Sequence, residues 1–428
     1  MQNIQDAAII AIYNVHRISV SYLNTRSKPS GSSFHDSNFE KSGRMQAEDT
    51  GENMKKKKVV IITNAPAPYR VAFFQYIQEH ESDYAFHIVY TSENSQIGRQ
   101  WHVSGEELGS HSFLECRVLT IHRKYDDKRI VFSVGIGNKL KEQRPDLVIC
   151  MEYNATILQA VHWCRSHHVP FLSWSDGTAN SERNIGKLQK LFRKYVIRRA
   201  AGFISSSTAT MEHQISYGAQ REKCYKSLLT VDIEKYLMQK VDNQEETRKQ
   251  SGKKLLYVGS LIGRKGLDLL IPALAQTDSD ITLTIVGEGS EEDALKKQAK
   301  DCQVQDRIRW LGFLEGEALK DCYRQSDVFI LPTREDCYGL VILEAMCASL
   351  PVIASKYADG AFDLMENGVH GYIVDPYDTK QLAEAIDMIF SDTDRLKKMQ
   401  HDCYERARKF AIPRVAEPLY EALDAVTR

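Results

Sequence analysis

Short β-branched runs alternate with longer amphipathic segments through this chain, and the alternation happens twice. In the first series KVVIIT (58–63), AFHIVYT (85–91), DLVIC (146–150), VPFLSW (169–174) and AGFISSS (201–207) predict strands. Helical spacing falls between them, at 69–80, near 155–167, near 185–200 and at 208–217. The strand runs are largely apolar rather than strictly alternating, so both sheet faces must be covered, as βαβ crossovers cover them. The rhythm breaks at KVDNQEETRKQSGK (240–253), which is charged and almost wholly polar. It resumes with KLLYVG (254–259), ITLTIVG (281–287), RIRWLG (307–312), DVFILP (327–332), PVIAS (351–355) and GYIVD (371–375), most of them followed by segments with apolar residues three and four apart. The expectation is an α/β protein of two tandem Rossmann-like, doubly wound domains facing across a cleft, the usual place for a ligand between two such sheets. At 428 residues the chain is also long for one core.

The expected boundaries are a disordered tail at 1–53, a first domain at 54–235, a linker at 236–253, a second domain at 254–411 and a helix at 412–428 returning to the first domain. The tail is polar, Ser-rich and aperiodic, and its apolar cluster AAIIAIY (7–13) follows Asp6 without a basic leader, so a signal peptide is not expected. An upstream start, with Met54 or Met45 the true beginning, is the other reading. A formal net charge of −1 gives no global field for nucleic acid. Nine scattered cysteines without a C-x-x-C pair read as reduced thiols rather than a disulfide framework or a zinc site.

Three loops of the second domain carry chemistry-bearing residues. In YVGSLIGRKGLDLL (257–270) a strand ends near Gly259 and Ser260, and Arg264 and Lys265 precede Gly266 and a helix. Two cations beside a helix start suit a phosphate, although an ordinary βα loop with a solvated basic pair fits equally well. In TIVGEGSEEDALKK (284–297) Gly287 and Gly289 flank Glu288, with Ser290 expected as the helix cap. In LPTREDCYGLVILEAM (331–346) a buried strand gives way to acids at 335 and 336, and Gly339 opens a helix. Its first amides, at Gly339, Leu340 and Val341, are placed for a diphosphate. Glu344 lies on that helix among apolar neighbours, where a carboxylate needs a partner. Asp336 either holds sugar hydroxyls or only caps the helix.

Taken in order, G-S-L-x-x-R-K-G, V-G-E-G, L-G-F (311–313), P-T-R-E-D-x-x-G-L-V-x-x-E-A-M, D-G-A-F-D (359–363) and G-Y-I-V-D-P (371–376) resemble the donor domain of retaining GT-B glycosyltransferases of family 4. The resemblance spans about 54–428 and is stronger in the second domain. It implies that Lys265, helped by Arg264, contacts the diphosphate of a nucleotide-sugar donor. It implies that Glu344 binds the ribose, that Asp336 touches the transferred sugar, and that Gly339 and Leu340 supply amides to the phosphates. It also implies a bacterial surface polysaccharide or lipopolysaccharide as the acceptor's setting. Two departures stand out: Ser260 where the family often has Arg, and Asp359 and Phe362 where its G-G-x-P-E form has Gly and Pro. Many members place a His after the strand that here ends at Cys150; this chain has M-E-Y-N, so Glu152 and Asn154 are the substitutes.

On the acceptor side, Tyr69 and Arg70 follow Pro66 and Pro68 in TNAPAPYR (63–70) and start a helix facing the cleft, or the stretch is only a rigid turn. Asp176 in SWSDGT (173–178) faces an acceptor or forms a turn. The basic run RNIGKLQKLFRKYVIRRA (183–200) is either a packed helix with a solvated back or a contact for anionic lipid. D-x-D pairs at 278–280 and 392–394 lie where turns and caps are expected, so no metal is read. His167 and His168 read as surface residues. No cofactor is expected beyond the nucleotide-diphosphate sugar, and the partners are that sugar and a saccharide or lipid-linked acceptor, without nucleic acid. A cytoplasmic location, peripheral on the inner membrane face, follows from the same reading. Two rivals remain: a sugar-nucleotide epimerase of GT-B shape, and a non-catalytic nucleotide-sugar-binding partner subunit.

Overall fold

The computed structural model describes residues 56–93, 103–121, 128–238 and 253–427. The expected tail at 1–53 and most of the polar linker lie outside them. The remainder, from Met54 on, forms one compact unit built of two α/β halves.

The first half begins with β1 (Lys57–Thr63), α1 (Pro68–Glu79) and β2 (Tyr84–Tyr90), followed by β3 (His111–Phe113) and a hairpin of β4 (Glu115–Ile121) and β5 (Lys128–Val134). Then come α2 (Ile136–Gln143), β6 (Leu147–Met151), α3 (Ala155–Ser166), β7 (Phe171–Ser175), α4 (Lys187–Ile197), β8 (Gly202–Ser205), α5 (Thr208–Ser216) and β9 (Cys224–Lys226). The sheet order is β3-β2-β1-β6-β7-β8-β9, and every pairing is parallel. Five-residue runs such as Leu147–Met151 and Phe171–Ser175 are buried at every position, which is why they do not alternate. The hairpin, β3 and α2 occupy the stretch between 91 and 146, which carried no clear period.

The second half comprises β10 (Lys253–Val258), α6 (Leu267–Leu274), β11 (Ile281–Val286), α7 (Glu292–Asp301), β12 (Ile308–Trp310), α8 (Gly316–Gln325), β13 (Val328–Leu331), α9 (Leu340–Cys347) and β14 (Val352–Ser355). It closes with α10 (Ala361–Leu364), β15 (Gly371–Val374), α11 (Thr379–Phe390) and α12 (Thr393–Ala407). Its sheet, β12-β11-β10-β13-β14-β15, is also wholly parallel. Asp378 accepts from the Gln381 amide at 3.0 Å and caps α11. Ser290 does not cap α7: that helix starts after Glu291, with no side-chain cap bond, because the Glu291 amide turns back to the Leu261 carbonyl at 3.0 Å.

Each half has its own apolar core. Two strands of chain link them. Leu229, Val231 and Ile233 run from the first half into the second core. Helix α13 (Ile412–Thr427) returns, burying Val415, Ala416, Leu419, Ala422 and Leu423 in the first core. The two crossings lie side by side: Ser227 Oγ donates to the Val415 carbonyl at 2.7 Å and Thr230 Oγ1 to the Phe410 carbonyl at 2.5 Å.

In both sheets the strand order reverses direction beside the first strand of the half, at β1/β6 and at β10/β13. Loops leaving the carboxyl ends of those strands flank a crevice, which is where open α/β sheets bind ligands.

Candidate active site

In the second half the crevice is bounded by 259–266 after β10 and 332–339 after β13. These loops touch closely. Gly266 has φ of 73°, and a Cβ there would sit 2.1 Å from the Pro332 carbonyl oxygen, so only glycine allows the approach. The Arg334 amide donates to the Arg264 carbonyl at 2.8 Å, and the Arg264 guanidinium returns a bond to the Glu335 carbonyl at 2.7 Å. Arg334 also grips both oxygens of Asp268 at 2.7 Å.

Lys265 and the start of α9 meet at one group, Asp336. Lys265 Nζ lies 2.6 Å from Asp336 Oδ2, and both side chains are about six-sevenths buried. Asp336 Oδ1 accepts from the amides of Tyr338 at 3.2 Å and Gly339 at 3.0 Å. Burial pulls the Asp336 carboxyl up, but the Lys265 ammonium, its hydrogen bond and Arg264 outweigh it and hold the group below the usual range. The Gly339 amide, read from sequence as a phosphate donor, is thus occupied by a carboxylate three residues upstream. Gly339 is the residue before α9, in the left-handed conformation at φ 79°. Leu340 and Val341 open the helix, and their amides are among those with no carbonyl of a preceding turn.

Glu344, one and a half turns on, has the partner that its apolar neighbours demanded. The Tyr323 hydroxyl of α8 donates to Glu344 Oε2 at 2.8 Å. Desolvation raises the Glu344 carboxyl, and the Tyr323 bond lowers it in part. Tyr323 was not legible as a site residue: it lies on a separate helix whose spacing marks it only as core. Around the Gly259–Ser260 turn the Gly259 amide donates to Val286 at 3.0 Å, while the Ser260 carbonyl accepts from the buried Tyr257 hydroxyl at 3.1 Å. Next to it, the Gly287 amide donates to Gly312 at 2.7 Å.

The first-half crevice brings Tyr69, Arg70, Glu152 and Asp176 together. Arg70 is buried, pairs with Asp176, donates to Ser206 Oγ at 3.2 Å and stacks 4.8 Å over the Trp174 ring. Glu152 follows β6 at φ 69°, an uncommon conformation for a residue with a side chain and one that clusters at functional sites. Its Oε1 accepts from the Asp176 amide at 3.1 Å. Desolvation and the Asp176 charge push the Glu152 carboxyl up to about 8. Asn154 does something different: its side chain accepts from Ile157 N at 3.0 Å and caps α3. Ser206 and Trp174 were missed, although the Ser run at 205–207, at the end of a predicted strand, was a usable signal.

The two crevices face each other. Burial, then the negative charges of Asp336, Asp176 and Glu152 raise the Cys337 thiol, so both halves' acids bear on one side chain of the 332–339 loop. Loop 176–186 spans the gap: Arg183 lies 3.5 Å from Glu335, and Asn180 donates to the Tyr357 carbonyl at 3.2 Å. Elsewhere, Asp278 and Asp280 both pair with Lys253, and Asp392 caps α12 through the Asp394 and Arg395 amides at 3.0 Å. His167 stacks on Trp163 at the end of α3.

Residues 238–410 match the family described as glycosyl transferases group 1. An uncharacterised glycosyltransferase of Methanocaldococcus jannaschii is 32% identical over 142 residues, which is 33% of this chain and 36% of the relative. The alpha-D-kanosaminyltransferase of Streptomyces kanamyceticus is 29% identical over 34% of this chain and 38% of its own length. The chain thus spans little more than a third of either curated relative. Among solved structures, Anabaena HepE in complex with UDP superposes with a TM-score of 0.68 at 17% identity, covering 86% of this chain and 99% of that one. The lipopolysaccharide outer core galactosyltransferase WaaB superposes at 0.66 and 16% identity, over 86% and 99%. These likenesses show the fold, two Rossmann-like halves arranged as in GT-B glycosyltransferases.

Proposed function

We propose that this chain is a retaining, metal-independent glycosyltransferase of family 4, which moves a sugar from a nucleotide-diphosphate donor to a glycan or lipid-linked saccharide in surface polysaccharide synthesis. One observation carries the reading: the loops on either side of the β10/β13 switch point are stitched together, and Lys265 and the start of α9 converge within 3.2 Å of a single anionic group. A matched group 1 domain and a UDP complex among the fold's neighbours support the donor class.

The chemistry follows from charge. The bond from the anomeric carbon to the phosphate oxygen breaks with its electron pair staying on the diphosphate, and the sugar becomes oxocarbenium-like. An acceptor hydroxyl oxygen bonds to that carbon on the face the diphosphate leaves, its proton passing to the departing diphosphate. Lys265, Arg264 and the amides of Leu340 and Val341 stabilise the leaving anion. Asp336, held by Lys265, faces the sugar, and Glu344 takes the ribose hydroxyls. Tyr69, Arg70, Glu152 and Asp176 form the acceptor side. Incubating the full chain with a panel of nucleotide sugars and a lipid-phosphate saccharide acceptor tests this. Transfer with the anomeric configuration kept is the expected result; an epimerised donor, or binding without turnover, would replace it with one of the rival readings.

The same reading extends to the membrane. No described helix is long and apolar enough to cross one. On α4, however, Leu188 and Leu191 are 49% and 43% exposed, and Lys187, Lys190, Lys194 and Arg198 lie exposed around them. The buried cation of that helix, Arg193, is held by Glu182. Apolar tips within a cationic collar suit anionic headgroups. The chain should sediment with vesicles containing anionic lipid severalfold more than with neutral ones at low salt; equal partitioning ends this part of the reading.

A further inference from the structure

We propose that Asp359 is a positioning residue that clasps the acceptor-side loop to the donor carboxylate Asp336 and so favours transfer over hydrolysis. The inference rests on the transferase reading, but the clasp can be read without turnover.

Asp359 follows β14 and does two things at once. Its amide donates to the Asp336 carbonyl at 3.0 Å, while the Asp336 amide donates to Tyr357 at 3.0 Å, an isolated parallel bridge between the two donor loops. Its carboxylate accepts from the Thr178 hydroxyl of the first half. A short path of contacts therefore runs from Thr178 through Asp359 and Asp336 to Lys265. The neighbouring contacts from Asn180 and Arg183 land on the same two segments, at Tyr357 and Glu335.

The loop that supplies Thr178 is fixed to its own half at both ends. Asp176 is held by Arg70 and Ser206. Glu182 is gripped through both oxygens by Arg193 at 2.5 Å and approached by His213 at 3.0 Å. Between these anchors the Thr178 amide donates to Ser181 Oγ at 3.0 Å. A loop pinned this way moves with its half, so the Thr178–Asp359 bond transmits the position of the acceptor side to the residue beside the sugar. Asp363, four residues beyond, accepts from the Thr208 amide at 2.7 Å and so caps α5. The glycine that the family form has at 359 carries no carboxylate, so the clasp belongs to this chain.

Hydrolysis is the competing reaction. Water bonds to the anomeric carbon, the nucleoside diphosphate leaves with the electron pair, and the water's proton passes to solvent. A site that holds its two sides together excludes that water. Asp359→Ala and Thr178→Val remove opposite ends of one hydrogen bond to a charged group, and Thr178→Ser restores the hydroxyl. Each of the first two should raise the ratio of hydrolysis to transfer about tenfold, with nucleotide affinity unchanged and the double variant no worse than the singles. Thr178→Ser should keep the native ratio, which a purely steric role for Thr178 would not predict. An unchanged ratio in both singles, or additive effects in the double variant, overturns the clasp.

Hydrogen exchange gives the readout that does not need activity. In Asp359→Ala, amides of 176–183 should exchange faster along with those of 357–359, although the two segments belong to different halves. Faster exchange confined to 357–359 overturns the proposal. If the wild-type chain consumes no nucleotide sugar while exchange still rises in both segments, the transferase reading fails and the clasp stands.

Discussion

The two crevices share a topology and differ in how their charges are answered. Each lies where the first strand of a half has the second strand on one side and a later one on the other. In the first half the cation is internal: Arg70 is buried against Trp174 and bound to Asp176 and Ser206. In the second half a single ammonium, Lys265, and two backbone amides hold Asp336 at the mouth of a helix. The first arrangement is a packed network whose members answer one another. The second is an anion cradle assembled from groups that any anion could use. The sheet supplies the place, and a few loop residues decide its chemistry.

The sharpest break of this contrast comes from removing each cation. Lys265→Ala should lower transfer by about 100-fold or more, the usual loss when one stabilising donor to a leaving anion is deleted. Its stability cost should be smaller, about 1–3 kcal/mol, as Asp336 keeps its two amide bonds. Arg70→Ala should cost more stability, about 2–4 kcal/mol, because Asp176 is left largely buried without its cation. Steady-state rates and urea melts on both variants decide the matter. A Lys265→Ala protein that unfolds while Arg70→Ala stays native would show that the roles are exchanged.

A smaller effect is expected at Glu344. Glu344→Gln keeps an oxygen for the Tyr323 hydroxyl but removes the negative charge proposed to accept from ribose hydroxyls. The KM for the donor should rise about tenfold with kcat little changed, the pattern of lost uniform binding. A fall in kcat at constant KM would move Glu344 from the ribose to the reacting sugar.

Much of this contrast could be read in the sequence, and the reason is local. The residues that make the second-half crevice are each within one loop of a strand end, and their spacing to the helix start is fixed by chain geometry: Arg264 and Lys265 before Gly266, Asp336 before Gly339, Glu344 on the helix. Contacts between elements were not visible. The Lys265–Asp336 pair joins residues 71 apart, Tyr323–Glu344 joins two helices, and Thr178–Asp359 spans 181 residues. Asp359 appeared only as a departure from a pattern, because its partner lies in the other half. The hairpin of β4 and β5 escaped because it pairs antiparallel outside the parallel sheet and so breaks the βαβ rhythm that marked the other strands. The cap at Asn154 was hidden for a related reason: a polar residue after a strand and before a helix serves a site or a cap equally well, and here its side-chain oxygen caps α3.

The finest test of the contrast is at Glu152, the acid in the first crevice with no cation of its own. Desolvation and Asp176 raise its carboxyl from 4.5 to about 8, while Glu182 also raises it and Arg193 lowers it. Tyr69, Arg70, Tyr153 and Cys337 also feel its charge, from α1, its own loop and the 332–339 loop. A carboxyl raised in the folded protein favours the protonated state. Its contribution to stability is therefore complete below 4.5 and is lost as pH rises through about 8. Glu152→Gln mimics the protonated group and keeps an oxygen for the Asp176 amide. The variant should match the wild type near pH 4.5 and exceed it by about 1–2 kcal/mol above pH 8, since Asp176 relaxes part of the shift. Melting curves at both pH values measure the difference. If the gap is the same at both, Glu152 is as well answered as Lys265's partner, and the two crevices differ less than their side chains suggest.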